Sequence, residues 1–163
     1  MCTTVTGFLA SIKDIREAKL IASSEVDIID LKNIDDGALG FVGRNFISKV
    51  RKILPRHTLS ATMGNHMNPN NSENIENIKF VIKNKIDFLK IGLFDVGIIS
   101  EHHELLKQIN FIKTKPICVL FADKDFNLDN VEKIIDTGYH GVMIDTYYKD
   151  SKSLVEILEN EII

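Results

Sequence analysis

The sequence predicts an α/β fold, a TIM-barrel-like repeat of strand–helix units around a parallel sheet. Six short apolar segments alternate with six segments of helical periodicity, as in repeated βα units. The apolar segments are nearly continuous, which is typical of parallel strands covered on both faces. Charged residues follow several of them, and TIM barrels place their chemistry at the carboxyl ends of strands. A doubly wound sheet is the alternative, but the sequence has no GxGxxG loop after its first strand.

The first two units are predicted from apolar runs and helix signals. Thr4–Ala10 combines threonine and valine with apolar residues and is predicted as the first strand, after which Ser11 is predicted to cap a helix. Val26–Leu31 is predicted as the second strand because it is apolar apart from two aspartates. A basic helix over Arg44–Leu54 follows and ends before Pro55, which cannot continue it.

The third and fourth units follow the same order. Thr58–Met63 is predicted as a strand and leads into the asparagine-rich loop Asn65–Asn71. Ser72 is predicted to cap the next helix, in which isoleucine and valine recur at helical spacing. Phe88–Ile91 is predicted as the fourth strand, and a helix is predicted near Glu101–Ile112.

The last two units complete the predicted repeat. Ile117–Ala122 is an apolar run that predicts the fifth strand. A helix over Asp129–Thr137 follows, with Gly138 as its expected C-cap. Gly141–Asp145 is predicted as the sixth strand and Ser151–Glu161 as the last helix.

Composition indicates a single domain over residues 1–163, with 44% hydrophobic and 26% charged residues. A formal net charge of −3 gives no reason to expect nucleic acid or an anionic membrane as a partner. No apolar run approaches the roughly 18 residues of a membrane span, and no signal peptide is recognised, so we expect a cytoplasmic protein. Cys2 and Cys118 lack metal or disulfide spacing and are expected to be reduced thiols.

Asp30 and Lys32 are the first candidates for chemistry. Because side chains alternate along a strand, both point to the same face, one step apart. A buried acid and amine are costly unless they are paired or catalytic. A lysine that loses solvation has a lowered amine pKa and becomes a nucleophile near neutral pH. On these two residues alone, a strand-end salt bridge is the simpler alternative.

Further charged residues accompany later strands. Lys90 lies in the fourth strand, Asp145 ends the sixth, and Lys149 follows in the next loop. In a parallel barrel these strand ends converge on one mouth, where one lysine can form an imine with a carbonyl substrate. Carboxylates can then move protons, and a remaining lysine can hold a phosphate. The predicted catalytic residues are therefore Asp30, Lys32, Lys90, Asp145 and Lys149.

Three more residues are predicted to bind substrate. Thr62 and Gly92 lie at the ends of the third and fourth strands, and Asp123 follows the fifth. Phe94 and the Tyr147–Tyr148 pair lie in neighbouring loops, where they either wall a pocket or serve packing. All of these positions are near the mouth that the charged residues are expected to share.

The adjacent histidines His102 and His103 resemble a metal-binding sequence because glutamates flank them on both sides. Successive residues on a helix diverge by about 100°, so neighbouring imidazoles cannot easily share one ion. A solvated helix face is therefore predicted for both. We expect no metal and no cofactor.

The motifs DIIDLKN…GALG, LSATMG, DFLKIGLFD, FADKD and GYHGVMIDTYYKDSKSL resemble, in order and spacing, the (5-formylfuran-3-yl)methyl phosphate synthase family, also called 4-(hydroxymethyl)-2-furancarboxaldehyde-phosphate synthase. The resemblance extends from about Gly7 to Leu158. It implies a TIM-barrel, Schiff-base lyase that joins two glyceraldehyde 3-phosphate molecules into a furan aldehyde phosphate, with loss of phosphate and water. In methanogens this product feeds methanofuran.

The resemblance also implies a role for each predicted catalytic residue. Lys32 would form the imine, and Asp30 would be its proton-transfer partner. Lys90 and Lys149 would be active-site cations, and Asp145 an acid/base. A small phosphorylated sugar is the implied substrate.

The predicted repeat departs from a full barrel, which has eight strands and about 200–250 residues. Six βα units are seen, so the last two of a full barrel are absent and the edges of strands one and six are left unpaired. Three explanations are open. A second copy or a partner chain fills the gap, or the chain forms a smaller, altered sheet. In the third, the chain is a shortened relative whose activity is reduced or lost. The first case predicts a homo-oligomer. The last predicts a non-catalytic phosphosugar-binding or interaction module.

Overall fold

The computed structural model describes residues 6–124, 127, 129–148 and 153–161. Within these ranges six parallel strands form one sheet, and each strand pairs with the next one along the chain. This strictly sequential order confirms the barrel-like α/β fold, because a doubly wound sheet reverses its strand order at a switch point. The strands are β1 Leu9–Ile12, β2 Ile28–Leu31, β3 Leu59–Thr62, β4 Phe88–Gly92, β5 Lys115–Phe121 and β6 Gly141–Asp145.

Helices follow the strands and cover the outer face of the sheet. Outward strand residues such as Ile29, Leu31 and Leu89 pack in the main core with helix residues such as Ile47 and Ile78. One 3₁₀ turn, Val96–Ile98, leads into the fourth helix. The helices are α1 Ile15–Ile21, α2 Arg44–Ile53, α3 Ser72–Lys83, α4 Ile99–Gln108, α5 Asp129–Asp136 and α6 Leu154–Glu161.

The inner face of the sheet carries the residues of interest. Asp30 of β2 is in register with Ser11 of β1 and Ser60 of β3, while Thr62 of β3 is in register with Lys90 of β4. Because these positions alternate with the outward core residues, they line the concave interior. A small apolar cluster fills part of that interior. Its buried members are Ala38, Leu39, Val119 and Phe121.

The start of the chain differs from the sequence prediction. The first strand spans Leu9–Ile12, whereas Thr4–Ala10 was expected, and residues 4 and 5 lie outside the described residues. Ser11 is therefore a strand residue and does not cap a helix. Asp14 caps α1 instead, since its side chain accepts a hydrogen bond from the amide of Glu17 at 2.8 Å. A serine before an apolar periodic segment fits either role, and here pairing with β2 decides.

Two helix starts also differ from prediction. Asn71, not Ser72, caps α3 by accepting a hydrogen bond from the amide of Asn74 at 2.9 Å. Helix α4 begins at Ile99 and ends at Gln108, earlier than the predicted Glu101–Ile112. By contrast, β6 has the predicted bounds, and Gly138 after α5 has the positive φ of +106° that a glycine C-cap adopts.

The sheet is strongly curled. Lys32, directly after β2, and Asp145, at the end of β6, are separated by three intervening strands, yet their Nζ and Oδ2 atoms are 3.8 Å apart. Within the described residues β1 pairs with β2 alone and β6 with β5 alone. No helix in the described ranges is both long and apolar enough to traverse a membrane.

Candidate active site

The deepest charged pair joins Asp30 and Lys90. The Lys90 Nζ lies 2.5 Å from Asp30 Oδ2. The Lys90 side chain is 5% exposed and the Asp30 side chain 1% exposed. The Ser60 hydroxyl donates to Asp30 Oδ1 at 2.5 Å, and the Ser11 hydroxyl donates to Oδ2 at 3.3 Å. Such additional hydrogen bonds are what make a buried ion pair tolerable. Residues of β1, β3 and β4 thus fix the Asp30 carboxylate.

A second pair joins Lys32 and Asp145 and is closer to solvent. Their side chains are 15% and 20% exposed, and the Nζ–Oδ2 distance is 3.8 Å. Asp145 Oδ1 also accepts a hydrogen bond from the backbone amide of Thr146 at 2.8 Å. The structure therefore brings four of the predicted catalytic residues into two ion pairs, each formed between different strands. Lys149 lies outside the described residues.

The two serines that hold Asp30 were not identified from the sequence. Ser60 occupies the same phase of its strand as Thr62, a small polar residue inside an apolar segment, which is the signal that would have indicated an inward hydroxyl. For Ser11 the sequence pattern predicts a helix cap. Its inward direction follows only once β1 is placed beside β2 in register, with Ser11 opposite Asp30.

Thr62 and Gly92, predicted to bind substrate, contact other parts of the chain. The buried Thr62 hydroxyl donates to the carbonyl of Gly40 at 2.6 Å and so anchors the loop after β2. A Cβ on Gly92 would lie 2.7 Å from side-chain atoms of both Leu39 and Phe94. The missing side chain at Gly92 therefore makes room for that loop and for the aromatic ring.

Asp123, the third predicted substrate-binding residue, accepts hydrogen bonds through both carboxylate oxygens. Its Oδ1 accepts from the amide of Tyr147 and its Oδ2 from the amide of Tyr148, each at 2.7 Å. The carboxylate thus joins the loop after β5 to the loop after β6. Hydrogen bonds to a carboxylate are shorter and stronger than those between neutral groups, so these two hydrogen bonds hold the two loops together strongly.

A cavity of about 550 Å³ lies at the carboxyl ends of β4 and β5. Of the predicted site residues that the structure describes, Asp123 is among its lining residues, and the two ion pairs are not. The Lys124 Nζ lies 3.8 Å from the ring centroid of Tyr147, a cation–π contact. The lining residues are Met67, Leu93, Phe94, Asp95, Val96, Leu120, Phe121, Asp123, Lys124, Asn127, Asn130 and Tyr148.

The aromatic residues near this mouth both pack and line the cavity. Phe94 stacks on Phe121 with ring centroids 5.1 Å apart, and Tyr147 meets Phe121 edge-on at 5.4 Å. Phe94, Phe121 and Tyr148 also line the cavity. The two alternatives left open by the sequence, a pocket wall and a packing role, therefore both apply to Phe94.

The prediction of a solvated face for His102 is wrong. Its side chain is 1% exposed, and its Nδ1 lies 2.6 Å from the hydroxyl of Tyr139. Burial lowers the pKa of His102 to about 4. The neighbouring His103 Nδ1 is 3.1 Å from the carbonyl of Thr137. In the part of the chain that the structure describes, no three potential ligands are grouped to hold a metal.

Comparison with known proteins gives consistent results. The family model described as 4-HFC-P synthase matches residues 8–163. The (5-formylfuran-3-yl)methyl phosphate synthase of Methanocaldococcus jannaschii is 30% identical over 167 aligned residues, which cover 95% of this chain and 71% of that protein. The enzyme of the same name from Methanococcus aeolicus is 27% identical with the same coverage.

Among solved structures, KGPDC from Streptococcus mutans superimposes with a TM-score of 0.60. The superposition covers 97% of this chain and 72% of KGPDC, at 14% sequence identity. At that identity the likeness concerns the fold alone, and it agrees with a barrel-type arrangement of the six strands.

Proposed function

Because this chain belongs to the 4-HFC-P synthase family, we propose that it condenses two glyceraldehyde 3-phosphate molecules into (5-formylfuran-3-yl)methyl phosphate. The family supports a synthase role in furan phosphate formation. The proposed reaction releases phosphate and water and begins with an imine between Lys32 and a substrate carbonyl. The single observation that supports this assignment is the difference between the two ion pairs of the barrel interior.

Lys32 is the better candidate for the nucleophile. Its side chain is partly exposed, and its counter-ion Asp145 is 3.8 Å away, longer than a direct hydrogen bond. Lys90 is almost fully buried and lies 2.5 Å from Asp30. An amine must be reachable and must lose a proton before it can attack a carbonyl carbon. Lys32 meets the first condition better than Lys90.

Asp145 is proposed as the acid/base. Attack by the Lys32 amine on the carbonyl carbon expels water and leaves an imine. Once protonated, the imine withdraws electrons from the carbon next to the former carbonyl carbon. A nearby carboxylate can then remove a proton from that adjacent carbon. Asp145 lies beside Lys32, and its Oδ1 is already oriented by the Thr146 amide. It is therefore positioned to accept the proton and return it at a later step.

Asp30 and Lys90 are proposed as a fixed charge pair. The carboxylate of Asp30 already receives Lys90 and two serine hydroxyls, so three of its about four acceptor positions are occupied. These contacts favour a counter-charge role for Asp30 over the proton-transfer role that the family resemblance implies. Lys90 is then the fixed counter-ion of Asp30 and is too deeply buried to contact the substrate itself. Lys149 remains the predicted cation for a phosphate group.

The test is to trap the imine. The purified chain is incubated with glyceraldehyde 3-phosphate, reduced with borohydride, digested and mapped by mass spectrometry. We expect the adduct on Lys32. The Lys32→Arg variant keeps a positive charge beside Asp145 but cannot form the imine, so it should give neither adduct nor product. The exposed Lys49→Arg serves as the matched control and should behave as wild type.

Product formation separates the two functions that the sequence leaves open. A synthase releases phosphate and gives a product with furan aldehyde absorbance. A phosphosugar-binding module binds substrate without either signal. An adduct on Lys90, or full activity in Lys32→Arg, would exclude Lys32 as the nucleophile.

A further inference from the structure

Asp123 holds the segment Thr146–Tyr148, which follows β6, by hydrogen bonds to its backbone. We propose that it is a positioning residue whose carboxylate holds this segment and thereby sets the direction of the Asp145 carboxylate toward Lys32. The proposal rests on the proposed function, in which Asp145 is the acid/base. It replaces the substrate-binding role that the sequence predicted for Asp123.

The carboxylate of Asp123 extends the pairing of β5 with β6. The ladder places Phe121 opposite Asp145, and the amide of Ala122 donates to the carbonyl of Asp145 at 2.9 Å. The side chain of Asp123 continues from there. Its two oxygens receive the amides of Tyr147 and Tyr148, which follow β6, at 2.7 Å each.

Asp145 depends on the path of this same segment. Its Oδ1 accepts the amide of Thr146 at 2.8 Å, and its Oδ2 faces Lys32 at 3.8 Å. The Thr146 amide lies between the last ladder bond and the two amides held by Asp123. If the chain after Thr146 moved, that amide would turn, and the carboxylate of Asp145 would lose one of the hydrogen bonds that orient it. Asp123 thus acts on Lys32 through the backbone and through Asp145.

Direct substrate binding explains the contacts of Asp123 less well. Both of its oxygens already accept short hydrogen bonds from backbone amides. A phosphate ester is anionic, and a carboxylate on the cavity wall repels it. We therefore attribute the position of Asp123 on the cavity wall to its contacts between the loop after β5 and the loop after β6, and not to substrate binding.

The experiment compares Asp123→Asn and Asp123→Ala with Asp14→Asn. Asp14 is a matched control because its Oδ1 also accepts a backbone amide, that of Glu17 at 2.8 Å, but at the start of α1 and outside the cavity lining. We expect kcat to fall on the order of 10- to 100-fold in both Asp123 variants, while KM for glyceraldehyde 3-phosphate changes little. Asp14→Asn should retain wild-type kinetics, because asparagine can also accept the Glu17 amide.

Two outcomes of the kinetics would overturn the proposal. A raised KM with unchanged kcat would identify Asp123 as a substrate-binding residue. A lower melting temperature with wild-type kcat per folded molecule would reduce it to a structural contact.

Hydrogen exchange tests the same proposal without any turnover. In Asp123→Ala we expect the amides of Thr146, Tyr147 and Tyr148 to exchange about tenfold faster or more, with Ile144 in the strand unchanged. Unchanged exchange at Thr146 would overturn the link to Asp145. If the wild type forms no adduct on Lys32, the proposed function fails, but this measurement still decides whether Asp123 orders the segment that carries Asp145.

Discussion

At the scale of single residues, the two ion pairs of the interior differ in how much water reaches them. Asp30 and Lys90 are nearly inaccessible and have additional hydrogen-bond partners, whereas Lys32 and Asp145 retain some contact with solvent. Because the first pair is buried, losing one of its members would lower the free energy of unfolding, since the charge that remains has no water to solvate it. Partial exposure is the reason for proposing that the second pair meets the substrate.

The first prediction concerns Lys90→Met. This substitution leaves the Asp30 carboxylate buried without its counter-ion, so we expect the free energy of unfolding to fall by about 3–5 kcal/mol. Urea denaturation followed by circular dichroism measures the change. The double variant Asp30→Asn/Lys90→Met removes both charges and should recover much of the loss. A double variant no more stable than the single one would contradict this account of the pair.

The second prediction concerns the buried imidazole of His102. Its pKa is about 4 in the folded chain and about 6.5 when exposed. The unfolded chain therefore binds more protons between these values, and the free energy of unfolding falls as the pH is lowered through this window. Between pH 7 and pH 5 we expect a loss on the order of 2 kcal/mol from this residue.

Denaturation at both pH values measures the slope, and His102→Gln separates it from other groups. Glutamine can still bond to the Tyr139 hydroxyl but does not titrate, so the difference between the two pH values should shrink. The same substitution at the exposed His140 is the control and should leave the slope unchanged. An equal slope in wild type and His102→Gln would rule out His102 as its source.

At the scale of elements, the phase of each strand could be predicted from the sequence, but the pairing across the interior could not. Alternation alone places Asp30, Lys32 and Lys90 on the inward face. That Lys90 meets Asp30, and that Asp145 reaches Lys32, depends on how far the sheet curls. The curvature of the sheet depends on all six strands together, so it cannot be predicted from the spacing of residues within any one strand.

Short polar signals were misread where two structures use the same residue types. Serine before a periodic apolar segment is typical of a helix cap, and that pattern concealed the inward position of Ser11. The charged neighbours of His102 indicated an exposed face. The apolar Leu105, three residues later on the same side of α4, was the better guide, because it is fully buried.

The third prediction concerns the loop between β2 and α2, which Asn65, in the loop after β3, holds by two hydrogen bonds. The Asn65 side-chain amide donates to the carbonyl of Asp36 at 2.6 Å, and its Oδ1 accepts the amide of Leu39 at 3.1 Å. Leu39 is buried against Gly92 and belongs to the interior apolar cluster. Asn65→Ala removes both hydrogen bonds, so we expect a loss of about 1–2 kcal/mol in the free energy of unfolding.

Hydrogen exchange of the Leu39 amide shows whether this loss is local. In Asn65→Ala we expect faster exchange at Leu39 with little change at Leu31 in the adjoining strand. Asn65→Asp is the comparison variant: its carboxylate keeps the acceptor for the Leu39 amide, loses the donor to Asp36 and places an oxygen against that carbonyl, so it should disturb Asp36 while Leu39 stays protected. Protection of Leu39 that is the same in all three proteins would show that the loop is held by packing alone.

At the scale of the whole molecule, the curled sheet brings distant parts of the chain to one mouth. Among the described residues, β1 pairs only with β2 and β6 only with β5. Exposed apolar side chains lie at the start of β1, since Phe8, which precedes the strand, is 61% exposed and Leu9, its first residue, is 37% exposed. Unpaired strand edges with apolar neighbours promote association with other chains.

We therefore predict that the purified chain self-associates through these edges. Sedimentation velocity over a range of concentrations should show species heavier than the 18.4 kDa chain. The Phe8→Lys variant places a charge beside the β1 edge and should shift the distribution toward the single chain. Leu20→Lys is the matched control, because Leu20 is also well exposed but lies on α1, away from the edge. A monodisperse single chain at all concentrations would refute the prediction, and the same shift in both variants would place the contact elsewhere.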